Sequence, residues 1–351
     1  MRQDASGVQD GDGVVLRVDR GAALVEVRRG DAGDAADAAD AVDAVRMTWG
    51  GGILAAAATD PEAVPCTGDL VAWRHWPDGR TTLERVRPRR TLLTRAEASG
   101  TSSRQPLAAN VDVVAVVEGL VPDPDERRIA RLLSLAWASG ARPVVLLTKA
   151  DLAPDAAELA EQVAAGAFCP VLPVSVVTGD GVDAVRALVA DGRVMALVGA
   201  SGVGKSSLVN ALAGDDLMRV RALRGDGKGR HTTVTRELHR VAGGGAVIDS
   251  PGLRSVGLAD AAGVDLAFAD VVDLAGHCRF SDCRHTGEPG CAVLEAVASG
   301  RLPQDRLEDW RKLVAEGRRQ ELRRDARLNA EQNRRLRAQT KALRRSYQLR
   351  P

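Results

Sequence analysis

The chain has 351 residues, enough for two or three domains with a sizeable core, and 45% of them are hydrophobic while only 3% are aromatic. No apolar run approaches the ~20 residues of a membrane span, residues 1–12 are polar without a signal-peptide core, and three of the five cysteines share one short cluster. These features predict a cytoplasmic protein without a membrane-spanning helix, with metal rather than disulfides at the cysteine cluster; a monomer when free is also expected. The net charge of +1 hides an asymmetry: residues 317–351 carry twelve Arg or Lys against three Asp or Glu, a net of +9, which leaves −8 for the rest.

In chain order, residues 13–90 read as short strands. The runs 13–18 and 22–28 flank an Asp19-Arg20-Gly21 turn, and 70–76 and 81–86 flank Pro77-Asp78-Gly79-Arg80, a hairpin signal. About five such strands predict an all-β, OB-type barrel over residues 1–95. Residues 31–44 are an Asp/Ala low-complexity insertion, expected as a solvated loop. Trp73 and Trp76 are expected to pack in the barrel or its hairpin, with base stacking as the alternative. A linker is expected at 96–109. An apolar strand at 111–117 then opens an α/β domain over 110–258, with helical patterning at 125–138, 155–165 and 182–191 that predicts a parallel sheet.

Thr148-Lys149-Ala150-Asp151 follows an apolar strand at 144–147 and matches the guanine motif [NT]-K-x-D. Reading guanine requires a carboxylate that accepts hydrogens from N1–H and the N2 amine. Asp151 supplies it, and the Lys149 stem covers the ring. Thr148 stands where Asn is commoner, which leaves one supporting hydrogen bond open. A second strand, 171–174, leads into Ser175-Val176-Val177-Thr178-Gly179, the companion base-contacting loop, with Ser175 and Val176 as contacts.

Gly199-Ala200-Ser201-Gly202-Val203-Gly204-Lys205-Ser206 fits G-x-x-x-x-G-K-[ST] between a strand at 194–198 and a helix at 207–212. Glycines let backbone N–H groups turn in around phosphates, and the helix N-terminus adds positive charge there. Lys205 reaches the β- and γ-phosphates, the Ser206 hydroxyl binds Mg²⁺, and Ser207 stands beside it at the helix start. Gly229-Arg230-His231-Thr232-Thr233 occupies the place of the first switch, where Thr233, preferred over Thr232, coordinates Mg²⁺ while the γ-phosphate is present. Asp249-Ser250-Pro251-Gly252 follows a strand at 246–248 and matches D-x-x-G: Asp249 holds Mg²⁺ through water and the Gly252 N–H senses the γ-phosphate. The expected ligands are therefore GTP or GDP with Mg²⁺. Ordinary GTPases run P-loop, switches, guanine motif; here the guanine motif comes first, which implies a circularly permuted domain. The chain beyond the second switch is then tethered directly to a γ-phosphate sensor.

Residues 259–301 contain Cys278-x₄-Cys283-x-His285-x₅-Cys291, three thiolates and an imidazole that complete a tetrahedral set for one structural Zn²⁺. His277 does not fit that spacing and reads as a surface or supporting histidine. Residues 302–351 are helical in pattern and become basic from Arg318, without the apolar stripe of a membrane-surface helix, so phosphate-backbone contact with nucleic acid is expected.

The barrel, the permuted GTPase, the zinc module and the basic tail together resemble the small ribosomal subunit biogenesis GTPase A family. The most specific stretches are Gln105-Pro106-Leu107-Ala108-Ala109-Asn110-Val111-Asp112, the P-loop, the 229–233 switch and the Cys278 to Cys291 module. The resemblance implies a cytoplasmic GTPase that acts late in small-subunit maturation, binds the subunit and its rRNA, and is stimulated by it. Ser250 stands where Thr is common in that family, and Leu253 where Phe is common. Many GTPases orient the attacking water with a Gln directly after D-x-x-G; Leu253 has no hydrogen-bonding group, so unassisted turnover is expected at or below ~10⁻⁴ to 10⁻² s⁻¹. His231 is the candidate to position that water, with a group from the ribosome as the alternative. Two rival readings are a translation- or tRNA-related GTPase acting on another RNA, and an RNA-binding GTP sensor with little turnover.

Overall fold

The computed structural model describes residues 2–3, 9–28, 42–96, 104–213, 236–241, 243–250, 257–258 and 261–348, with the backbone alone at 2–3, 28, 42, 327–329 and 331–348. The N-terminal part is a closed barrel. Its strands are β2 (Gln9–Asp19), β3 (Ala22–Arg28), β4 (Val42–Trp49), β5 (Leu70–His75) and β6 (Thr81–Val86), and a two-residue β1 (Arg2–Gln3) extends the edge of β2. Their order is β2-β3-β4-β6-β5, and β5 pairs back to β2; every pairing is antiparallel except β4–β6. Helix α1 (Gly51–Thr59) follows β4. Period-two alternation turns Val15, Ala23, Val25, Met47, Val71, Trp73 and Leu83 into the barrel core. Trp73 is buried and its Nε1 donates to Asp12 O at 3.2 Å, so it packs rather than offering a face for stacking. Trp76 donates to Thr82 Oγ1 at 2.7 Å. The solvated loop expected at 31–44 is corrected at its end: residues 42–44 belong to β4, because Val45 and Met47 need the register that this strand sets against β3.

The linker expected at 96–109 is also corrected. Leu92–Ala96 (β7) and Arg104–Ala109 (β8) pair antiparallel into a ribbon. Leu93 and Leu107 drive this by burying themselves in the core of the following domain. The ribbon is fastened to the barrel turn 66–69. Asp69 is buried, takes both arms of the Arg89 fork at 2.7 and 2.8 Å, and accepts the Cys66 N–H at 2.7 Å. Asn110 Nδ2 donates to Gly68 O at 3.1 Å, and a Cβ on Gly68 would stand 2.2 Å from Ala109 O. That close approach gives the 105–112 stretch a structural reason.

The central domain is a six-stranded sheet in the order β11 (Val171–Val174), β10 (Arg142–Thr148), β9 (Val113–Gly119), β12 (Val194–Val198), β14 (Ala246–Asp249), β13 (Glu237–Arg240). All neighbours are parallel except β13, which runs antiparallel to β14. β9 is buried along its whole length, as a strand covered on both faces must be. Val114, Val116, Val145 and Leu147 face one layer with α2 (Glu126–Ala138) and α3 (Ala156–Ala167). Val113, Ala115, Val117 and Leu146 face the other, with α4 (Val182–Leu188) and α5 (Lys205–Ala213). The sheet order reverses at β9 and β12, so the loops after β9, β10 and β12 open on one crevice, where α/β sheets bind ligands.

Among the described residues four further helices follow: α6 (Val264–Ala267), α7 (Ala269–Ala275), α8 (Ala292–Ala298) and α9 (Gln304–Gln348). α6 packs on α2 so closely that a Cβ on Gly263 would stand 1.9 Å from Ser134 O. α9 has 45 residues, a length of about 67 Å at the rise of an α-helix. Arg306 near its start is bound to Asp270 of α7, donates to Gly166 O and Ala267 O, and stacks on Phe268 at 4.7 Å.

Candidate active site

The P-loop leaves the end of β12 and turns into α5 at Lys205. A Cβ on Gly199 would stand 2.2 Å from Val117 O, and Gly204 has φ +96, so neither position admits another residue without strain. Lys205 is buried, and its Nζ donates to the loop's own carbonyls, Gly199 O at 3.0 Å and Ala200 O at 2.6 Å. Burial lowers its pKa; the charges of Asp249 and Glu118 oppose the shift in part. Ala200, Ser201, Gly202 and Val203 complete the turn, and Ser207 follows on the first turn of α5.

Asp249 ends β14 beside the P-loop, and its Oδ2 accepts the Ser206 hydroxyl at 3.2 Å. Its Oδ1 is buried and has no partner, and burial raises its pKa despite the nearby Ser206 and Lys205. An orphaned carboxylate oxygen next to a serine hydroxyl, both hard oxygen donors, fits Mg²⁺.

The guanine loop leaves β10 at Thr148. Its Oγ1 lies 2.5 Å from Val203 O and 3.1 Å from Glu118 O; the single hydroxyl hydrogen goes to the nearer carbonyl. Threonine in place of asparagine thus still bonds the base loop to the P-loop. Lys149 takes the left-handed conformation at φ 61, which sends its stem along Gly119. Asp151 is exposed, and its Oδ1 accepts Ser175 Oγ at 2.6 Å. Ser175 is fully buried, and its oxygen in turn accepts the Val177 and Thr178 N–H groups, each at 3.2 Å. Val176 and Val177, next in the same loop, are exposed. His231, Thr232, Thr233 and Gly252 lie outside the described residues.

In the zinc module the ligand atoms of Cys278, Cys283, His285 and Cys291 all lie within 4.8 Å of one another. His285 Nδ1 is 3.6 Å from Cys278 Sγ and 3.4 Å from Cys291 Sγ, and the two sulfurs are 3.9 Å apart. A tetrahedron with arms of about 2.0–2.3 Å has edges of about 3.3–3.8 Å, close to the three separations among Cys278, His285 and Cys291, so the set suits a zinc ion once the widest separation, up to 4.8 Å, closes by about 1 Å. Burial lowers the pKa of His285 and favours the neutral imidazole that a metal needs. His277 is exposed and its Nδ1 meets Asp273 O at 2.8 Å, outside the cage.

A family profile described as RsgA GTPase matches residues 86–259. The protein of Streptomyces coelicolor named small ribosomal subunit biogenesis GTPase RsgA is 52% identical over 279 residues, 78% of this chain and 75% of its own. The chain belongs to the RsgA GTPase family. The crystal structure of YjeQ from Thermotoga maritima superposes with a TM-score of 0.60 at 25% identity, over 88% of this chain and 98% of that one. YloQ, described as a circularly permuted GTPase, shares the fold with a TM-score of 0.59 at 22% identity, over 91% and 98%.

As an RsgA GTPase the chain is a GTP hydrolase, and the order of its motifs is the permuted one. Sequence reasoning missed two residues that tie this domain to the tail. Trp310 of α9 packs its ring 5.7 Å from His285, and a tryptophan in so polar a helix was the available signal. Glu316 of α9 accepts the Leu258 N–H, nine residues past Asp249, and no local pattern marks it. Among the described residues, no helix is long and apolar enough to cross a membrane.

Proposed function

We propose that this GTPase hydrolyses GTP to GDP and phosphate on the small ribosomal subunit, late in that subunit's maturation, and that its nucleotide state controls its hold on rRNA. The division of labour we assign follows the boundaries expected from the sequence: barrel 1–95, joining segment 96–109, GTPase 110–258, zinc module 259–301 and basic tail 302–351. The protein works in the cytoplasm and is a monomer when free. The observation that carries the reading is the Thr148–Val203 hydrogen bond, which joins a guanine-reading loop to a phosphate loop in one crevice.

In this site Asp151, held by Ser175, reads the guanine edge and Lys149 covers the ring. Residues 199–204 cradle the phosphates. Lys205 exchanges its carbonyl partners for phosphate oxygens, an exchange that relieves its buried charge. Ser206 and Asp249, with Thr233, hold Mg²⁺, which neutralises charge on the β- and γ-phosphates when bound. Gly252 senses the γ-phosphate, and His231 positions the attacking water that Leu253 has no group to hold. Cys278, Cys283, His285 and Cys291 bind a structural zinc ion that sets the geometry of the rRNA-facing end.

Steady-state hydrolysis of GTP and ATP, alone and with small subunits, large subunits or bare rRNA, tests this. GTP-only stimulation by small subunits supports it. Tight GTP binding with no stimulation by any of them favours a sensor with little turnover, the reading to which Leu253 points; stimulation by another RNA assembly favours a translation-related role.

A further inference from the structure

We infer that Phe280, with Arg279 and Arg284, is a stacking site for an unpaired RNA base. The inference rests on the rRNA-binding reading and adds to it a specific site and a single-stranded ligand. Phe280 is 43% exposed, in a protein whose sequence contains only three phenylalanines. It lies between the zinc ligands Cys278 and Cys283, and its carbonyl accepts the Cys283 N–H at 3.3 Å. The loop's other half is fixed by Glu288, whose carboxylate takes the N–H groups of Arg284, Thr286 and Gly287 at 3.0, 2.7 and 3.1 Å. An apolar ring is therefore presented to solvent on a loop with little freedom to fold it away.

Arg279 places its guanidinium 5.4 Å from the centre of that ring. Its backbone N–H donates to Gly290 O at 3.0 Å, and its stem runs so close over Gly290 that a Cβ there would stand 3.0 Å from Arg279 Cβ. Three other arginine–aromatic pairs exist among the described residues, Arg74 with Trp76 and Arg306 with Phe168 and Phe268. In each of them the arginine is also bound to a carboxylate, Asp10 or Asp270. Arg279 and exposed Arg284 have no carboxylate partner among the described residues. A rigid exposed ring with one uncommitted guanidinium beside it, and a second exposed arginine four residues further along the loop, suits one ligand chemistry, a nucleobase with its phosphates: the base stacks on the ring and the arginines meet the backbone. A duplex offers no free base face, so the site selects single strands.

The test uses the full chain and a short single-stranded oligoribonucleotide that carries one 2-aminopurine, whose fluorescence falls on stacking, beside the same sequence as a duplex. Zinc content and small-subunit binding are measured on each protein. The wild type is expected to quench the probe. Phe280→Ala should bind the single strand about five- to a hundredfold more weakly and lose the quench, with duplex affinity and GTP hydrolysis unchanged. Phe280→Trp should keep both. If Phe280→Ala loses zinc, Phe280→Leu decides, since it keeps apolar bulk without a π face and should also lose the quench. A non-aromatic variant that retains zinc, affinity and quench overturns the stacking site. If wild type and variant then still bind small subunits alike, the rRNA-binding reading survives it; a wild type that binds neither subunits nor oligonucleotide removes both.

Discussion

Glu316 accepts the backbone N–H of Leu258 at 2.9 Å, and the same carboxylate oxygen accepts Arg131 Nη1 of α2 at 2.9 Å. Leu258 lies nine residues beyond Asp249, the last residue of β14. One step along α9, a Cβ on Gly317 would stand 2.6 Å from Ala261 N, and Glu321 accepts that N–H at 3.3 Å. The segment that follows the Asp249 strand is therefore gripped by the helix that carries the basic tail. Glu316→Gln keeps the shape and loses the charge that holds Arg131. Its affinity for small subunits should differ less between the GTP-analogue and GDP states, by on the order of tenfold, while unstimulated hydrolysis is unchanged. Equal nucleotide discrimination in variant and wild type would show that the grip is only structural.

Asp249 is held with one oxygen unpaired, and burial places its pKa above the ordinary carboxylate value. A folded-state pKa above the unfolded one means the ionised group costs stability at neutral pH, and the cost disappears as pH falls below the unfolded value. Asp249→Asn removes that cost. The nucleotide-free variant should melt higher, by on the order of 2 °C, while Mg²⁺-dependent hydrolysis is lost. Calorimetry of the apo protein beside a turnover assay checks both halves, and a lower Tm would contradict the assignment of an uncompensated charge.

The base loop should show two distinct behaviours. Thr148→Val deletes the hydroxyl that bonds Val203, so GTP and GDP should both weaken about fivefold to tenfold, whereas Thr148→Asn should restore binding. Asp151→Asn replaces two acceptor oxygens with one acceptor and one donor. Guanine nucleotides should weaken about a hundredfold or more, and xanthine nucleotides, which carry a carbonyl where guanine carries an amine, should gain. Titration with fluorescent nucleotide analogues measures each change, and unchanged guanine preference in Asp151→Asn would place base recognition elsewhere.

Cys283→Ser leaves three ligands where a structural zinc site needs four. The variant should lose its metal, and the His285–Trp310 packing should loosen with it, which Trp fluorescence and urea unfolding will register. GDP affinity should hold, because the nucleotide loops are carried by β10 and β12 rather than by this module. Loss of nucleotide binding together with zinc would show that the two sites fold as one unit.

Local chemistry fixed what the sequence could disclose. The phosphate loop, the Thr148 to Asp151 loop and the Cys278–Cys283–His285–Cys291 cluster are legible because each is a short run of diagnostic residue types, and the fold draws each together. The buried β9 and the hairpin at Gly79 are legible because periodicity and turn stereochemistry act over a few residues. The motif order, likewise, showed the permutation without coordinates. Tertiary structure alone decided the contacts between distant segments. Leu93 and Leu107 become a ribbon rather than a linker only because a core lies beneath them. Thr148 serves in place of Asn only because β9, β10 and β12 bring Val203 O within reach of a shorter side chain. Asp69 with Arg89, His285 with Trp310 and Glu316 with Leu258 depend on pairs separated by 20, 25 and 58 residues. A hydrogen bond or ring contact forms over a few ångströms in space, and no pattern along the chain records which remote residues the fold will bring that close.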